Sequence, residues 1–128
     1  MKFLLDTHVL LWLAFDDSNV PPRVRKKIQT PGSEVIVSAA SAWEIATKYR
    51  LGRLVFARKL VEDFIPRTTA AGYTHLPISM EHALRAGRLP GDHKDPFDRM
   101  LAAQAIHEDL PIISNESCFD AFAVRREW

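Results

Sequence analysis

Apolar residues fall along this chain in two rhythms. Short apolar-rich stretches occupy residues 3–5, 34–38, 73–79 and 111–114, and longer stretches between them repeat an apolar residue every three or four positions. The short runs mostly lack the apolar–polar alternation of a strand with one wet face, so they predict strands buried on both sides. The longer stretches predict helices over residues 8–15, 22–30, 41–51, 58–71, 80–88 and 96–108, with a helical turn at 119–122. Gly52 stands where the third helix must stop, and Pro66 kinks or splits the fourth. The tail "AVRREW" adds an edge strand. Strands alternating with helices build an α/β fold with a parallel sheet covered on both faces. Ligands of such folds bind outside the carboxyl ends of the strands, so the side chains that follow each strand carry the functional question.

A chain of 128 residues can bury a real core and is read as one domain, residues 1–128. A net charge of +1 provides no global basic field for nucleic acid, so any such contact must come from local patches. The one cysteine, Cys118, excludes an internal disulfide and a multi-cysteine zinc site, and fits a reducing, cytoplasmic setting. The N-terminal "MKFLLDTHVLLWLAF" has the lysine and leucines of a signal peptide. Asp6 and His8 interrupt it, no small-residue cleavage site follows, and residues 9–15 are too short to span a bilayer. The segment is therefore read as folded structure, with no membrane partner.

Four acids stand near strand ends: Asp6 after the first run, Glu44 one helical turn beyond the second, Glu116 after the last long run, and Asp98 in the first turn of helix 96–108. Each has a purely structural reading. Ser41 and Glu44 fit a capping box, and Asp6 and Glu116 can cap the helices that follow them. Asp95 before Pro96 is a good N-cap, which makes Asp98 a first-turn acid favoured by the helix dipole. As a group they favour another reading. On an ideal helix Asp98 shares its stripe with Ala102 and Ala105, whose small side chains let other backbones close in, so Asp98 faces a crevice rather than bulk water. Carboxylates crowded in a crevice raise one another's pKa, and a hard divalent cation relieves that repulsion.

All-carboxylate sites suit Mg2+ or Mn2+ rather than zinc. His8 and His93 lie near the acids in sequence but form no ligand-spaced pair, and are read as packing or solvent-facing. A magnesium site of this kind activates water and steadies phosphate oxygens for phosphodiester cleavage. Other acid-using α/β classes fit worse. The first strand is followed by Asp6-Thr7-His8 rather than D-x-D, "PIIS" is followed by Asn115 and Glu116 rather than lysine, and neither G-x-G-x-x-G nor a P-loop occurs.

The blocks "FLLDTHVLLW", "SAASAWEIATKYRLGRL", "DPFDRMLAAQA" and "PIISNESCFDAF", in that order, resemble those of PIN-domain proteins, and more narrowly of VapC-type toxins of toxin–antitoxin pairs. The resemblance spans nearly the whole chain. It implies a PIN-like (Rossmann-like) three-layer sandwich around about five parallel strands, Mg2+- or Mn2+-dependent endoribonuclease activity, a homodimer, and inhibition by a cognate antitoxin that also binds DNA. The family's first acid falls on Asp6, its second on Glu44 and its third on Asp98 rather than Asp95. The fourth is usually the Asp of a T-x-D step. Here that step reads Ser114-Asn115-Glu116, and the acid is longer by one methylene. The implied roles are direct metal ligation by Asp6 and Asp98, orientation of a catalytic water by Glu44, and support from Glu116 through water or a second metal. Thr7 and Ser114 are placed to hydrogen-bond the carboxylates or a phosphate, and Asp95 to cap its helix or back the ligands.

Positive charge for RNA lies in residues 48–67, where Lys48, Arg50, Arg53, Arg58, Lys59 and Arg67 face only Glu62 and Asp63 in composition, and Arg99 adjoins Asp98. Lys48, Arg50, Arg53 and Arg99 are the candidate RNA contacts, set against the reading of a solvated helix face. Trp12, Trp43 and Tyr49 fall at helical positions and are expected in the core or an interface rather than as base-stacking platforms. Residues 43–65 carry more apolar and aromatic side chains than one helical hairpin buries, which predicts a second copy or an antitoxin segment on that surface. Two other readings stay open: a PIN nuclease outside any toxin pair, in RNA processing or DNA cleavage, and a weakly catalytic PIN-like module that only captures nucleic acid or a partner.

Overall fold

In a computed structural model describing residues 1–128, the apolar runs pair into one sheet of five strands. The strands are β1 (Lys2–Leu5), β2 (Glu34–Ser38), β3 (Thr74–Leu76), β4 (Ile112–Ile113) and β5 (Arg126–Glu127), in the order β3-β2-β1-β4-β5. Every neighbouring pair is parallel. The helices are α1 (Thr7–Ala14), α2 (Pro22–Gln29), α3 (Ala39–Arg50), α4 (Arg58–Glu62), α5 (Phe64–Ala70), α6 (Met80–Arg88) and α7 (Pro96–His107), with 3-10 turns at Val55–Ala57 and Ser117–Phe122.

Strand side chains point alternately to two layers, because successive residues face opposite sides of a sheet. Phe3, Leu5, Val35, Val37 and Ile113 pack with Val9 and Leu10 of α1, Val24 of α2, Ile45 of α3 and Leu60 of α4. Leu4, Ile36 and Ile112 pack with Leu101, Ala102 and Ala105 of α7, and with Phe119 and Phe122. The chain adds β2 and β3 on one side of β1, then β4 and β5 on the other. The strand order reverses between β1 and β4, and ligands of this architecture bind outside the carboxyl ends of the strands at such a switch.

Several element ends differ from the sequence reading, each for a local reason. Helix α3 starts at Ala39, not at residue 41, because the Ser38 hydroxyl caps it by accepting from the Ala40 amide at 2.9 Å. The stretch 58–71 breaks at Asp63 rather than at Pro66. Pro66 falls in the first turn of α5, where a missing N–H leaves no helical bond unmade. Strand β3 ends at Leu76, before Pro77, which has no N–H for the ladder. Gly52 sits just past α3 with φ of +80° and donates to the Tyr49 carbonyl, a conformation that favours glycine. No helix is long and apolar enough to cross a membrane.

Candidate functional site

Asp6 leaves the end of β1 and is buried, with its amide bonded to the Ile113 carbonyl of β4. Its side chain does not cap α1. Instead Oδ2 accepts from the Ser114 hydroxyl at 2.7 Å, and Oδ1 has no hydrogen-bond partner. Burial pushes the Asp6 carboxyl up to about 7; the Ser114 bond and His8 oppose the rise, while the charges of Glu116 and Asp98 add to it.

Glu44 sits on α3 and is buried. It forms no capping box, since Ser41 lies inside the helix and bonds the Thr7 hydroxyl at 2.9 Å. One Glu44 oxygen, Oε2, accepts from Lys48 one turn on, and the other, Oε1, is buried without a partner. Burial works against the Lys48 charge, but the Glu44 bond and the charges of Glu44, Asp95 and Asp98 hold its pKa above the ordinary value.

Asp98 lies on the first turn of α7 and is 9% exposed, above the fully buried Ala102 and Ala105. Its Oδ2 meets His93 Nε2 at 2.8 Å. Burial raises the Asp98 pKa; His93 opposes this, and the charges of Asp95, Glu116 and Glu44 add to it. Asp95 caps α7, accepting from the amides of Phe97 at 2.8 Å and Asp98 at 3.1 Å. Glu116 meets His8 Nδ1 at 2.6 Å through Oε1, and Cys118 Sγ donates toward its Oε2 at 3.7 Å. Burial pushes the Cys118 thiol up to about 12, and the charges of Asp98, Glu116 and Asp6 push the same way, so it is a protonated donor.

The four acids lie close enough for charge effects to link them, Asp6 with Glu116 and Asp98, and Asp98 with Glu44, but they gather in two sets: ligand atoms of Asp6, His8 and Glu116 lie within 4.8 Å of one another, as do those of His93, Asp98 and Cys118, with Glu44 in neither and Ser114 holding Asp6. The structure places three other candidates differently. Thr7 bonds Ser41, tying α1 to α3, rather than a carboxylate. Lys48 is engaged with Glu44. Arg99 donates to the carbonyls of Ala86, Leu89 and His93, so its guanidinium pins the α6–α7 loop instead of standing free for phosphate. Arg50 and Arg53 are exposed. The histidines correct the sequence reading most: His8 and His93 each pair with an acid of the crevice. Their sequence closeness to Asp6 and Asp98 is the signal that could have found them.

Two buried carboxylate oxygens without donors cost several kcal/mol unless a cation or proton meets them. These unpartnered atoms are carboxylate oxygens, hard ligands of the kind Mg2+ or Mn2+ takes, with the nitrogens of His8 and His93 and the Cys118 sulfur beside the other acids.

Solved structures share this fold over nearly the whole chain. A VapBC2 from Rickettsia felis bound to a DNA fragment from its promoter superposes with TM-score 0.67 at 14% identity, covering 99% of this chain and 98% of that one. VapBC-1 from nontypeable Haemophilus influenzae gives 0.69 at 15% identity, covering 99% and 97%. FitAcB from Neisseria gonorrhoeae gives 0.63 at 21% identity, covering 97% and 95%. No curated protein matches the chain in sequence. The family model described as PIN domain matches residues 3–124. With the acids gathered at the switch of a five-stranded parallel sheet and that match across nearly its full length, the chain belongs to the PIN-domain family.

Proposed function

We propose that this chain is a Mg2+- or Mn2+-dependent endoribonuclease and the toxin of a cytoplasmic toxin–antitoxin pair. The observation that carries the nuclease reading is the pair of buried oxygens, Asp6 Oδ1 and Glu44 Oε1, that no donor of the protein satisfies, each near enough to Asp98 for their charges to interact. Asp6 and Asp98 would hold the ion, with Glu44 and Glu116 supporting it. A bound ion of this class polarises the phosphate and makes water nucleophilic near neutral pH.

The chain's own residues prepare that chemistry. Ser114 fixes one oxygen of Asp6 and leaves the other open. Lys48 does the same for Glu44, whose open oxygen can orient a water or accept its proton. His93 and His8 hold Asp98 and Glu116 in place. Arg50 and Arg53 offer exposed charge to RNA phosphates. The toxin reading is supported by the shared fold with toxin–antitoxin structures, among them a complex from Klebsiella pneumoniae. Exposed Leu51, Val55 and Phe56, with Phe15 packed on Phe56, supply an apolar surface for a cognate antitoxin or a second copy.

The test is incubation of purified protein with tRNA, rRNA and mRNA in Mn2+, with EDTA as the control. Cleavage of RNA that disappears in EDTA is expected. Intact RNA in every metal condition overturns the nuclease reading.

A further inference from the structure

Trp43 does not enter the core. It is 55% exposed, and its ring meets Phe97 edge to face, with centroids 4.8 Å apart and planes at 75°. Each ring belongs to the residue just before a crevice carboxylate: Trp43 precedes Glu44 on α3, and Phe97 precedes Asp98 on α7. The two rings touch across α3 and α7, so the helices that carry Glu44 and Asp98 meet at this aromatic pair. An indole left this open exposes a large apolar area that a ligand can cover.

One positive side chain shares its face. Arg50 lies seven residues further along α3, two turns on and on the same side, about 10 Å away along the axis. Arg53 follows beyond the helix end. Aromatic platforms beside positive side chains are how proteins hold single-stranded nucleic acid. Leu51, Val55 and Phe56 follow the C-terminal end of α3, beyond Arg50, whereas Ile65 lines an apolar pocket with Ala39 and Ala42 at its N-terminal half.

We propose that Trp43, braced by Phe97, stacks on a nucleobase of a single-stranded substrate beside the phosphate that is cut, with the strand running on toward Arg50. This rests on the nuclease reading and adds a positioning residue to it. Stacking tolerates any base, so Trp43 sets where the strand lies more than which sequence is chosen.

The experiment is steady-state cleavage of a short single-stranded RNA and of the same RNA carrying one abasic position at a time. Trp43→Ala is expected to raise KM by about 5- to 150-fold with little change in kcat, and Trp43→Phe to restore most of the loss. One abasic position should raise the wild-type KM by a similar factor and leave that of Trp43→Ala unchanged. Equal KM values for wild type and Trp43→Ala, with no abasic position whose effect vanishes in the variant, overturn the proposal. A Trp43→Ala protein that changes mass in light scattering while keeping its KM assigns the ring to a protein interface instead. If the wild type cuts no RNA, titration of the same oligonucleotide in EDTA still tests the platform. Fluorescence quenching present in wild type and lost in Trp43→Phe supports it, and no difference between the two overturns it.

Discussion

With Asp6 buried and its carboxyl pushed up to about 7, the metal-free folded protein holds a proton there that the unfolded chain, near pKa 3.9, releases much earlier. Between roughly pH 4 and 7 the folded state binds more protons than the unfolded one, so stability falls as pH rises through that window. The full penalty, on the order of 4 kcal/mol, is reached above pH 7. Asp6→Asn removes it. In EDTA, wild type should melt higher at pH 6 than at pH 8, while Asp6→Asn should show a flatter profile and melt above wild type at pH 8; identical slopes would refute the electrostatic account. Asp98 repeats the argument against a local rival. As a mere first-turn acid it would contribute about 0.3 to 1 kcal/mol through the helix dipole. In the crevice its charge is instead opposed by burial and by Asp95, Glu116 and Glu44, with only His93 in its favour. Metal-free Asp98→Asn should therefore be at least as stable as wild type, and its RNA cleavage should fall by orders of magnitude. Asp95→Ala is the contrasting case. It loses the cap bonds to Phe97 and Asp98, should cost about 1 kcal/mol by urea denaturation, and should keep part of its activity. Exchange of the two phenotypes would move the third acid to Asp95.

The elements hold those residues through contacts that link the ends of strands. Ser38 caps α3 and also donates to the fully buried Gln104 of α7, whose amide reaches the Pro77 carbonyl and His82 Nδ1 at 3.3 Å each. One serine thus ties β2 to α3 and α7, the helices that carry Glu44 and Asp98. Ser38→Ala strands the Gln104 oxygen and removes the cap together, so a loss of about 2 to 4 kcal/mol is expected. Ser38→Thr, which keeps the hydroxyl, should lose less; equal losses would show that the hydroxyl is not what matters. This network marks the limit of what sequence shows. The apolar runs made β1, β2 and β4 readable because burial on both faces leaves a local composition. Asp6, Asp98 and Glu116 stand out in the sequence because they follow a strand or open a helix, while Glu44 lies more than a turn into α3. Their partners do not. Ser114 and Asp6 are 108 residues apart, and Thr7 and Ser41 are 34 apart, so only the folded sheet makes them neighbours. His8 and His93 are ordinary histidines until the crevice closes on them. Glu44 looked like half of a capping box because Ser41 has the right spacing, and Ser38, three residues earlier, took the cap instead.

Seen as a whole molecule, α3 joins two surfaces of opposite character. Glu44 lies in its N-terminal half at the acidic crevice, and beyond its C-terminal end stand Leu51, Val55 and the 58%-exposed Phe56, whose ring packs edge-on against Phe15 at 5.1 Å. Along the helix the separation from Glu44 to Leu51 is only about 10 Å, so a protein seated on the apolar surface lies within reach of the acidic cluster without occupying it. Covering several large apolar side chains favours association, because burial returns about 25 cal/mol per Å². Light scattering at micromolar concentration should give about twice the 14.5 kDa chain mass. Phe56→Glu and Val55→Glu each place a charge in that surface and should shift the mass toward one chain. The proposed ion site should survive those changes, since none of its residues is touched. Mn2+ at a hundredfold excess over its Kd stabilises a native site by about 2.7 kcal/mol, a melting shift on the order of 10 °C for a domain this size. That shift should be kept in Phe56→Glu and largely lost in Asp98→Asn. A wild-type protein that stays monomeric at every concentration would assign the surface to the antitoxin alone. A Phe56→Glu protein that loses the Mn2+ shift would show instead that the crevice is completed only when two chains meet.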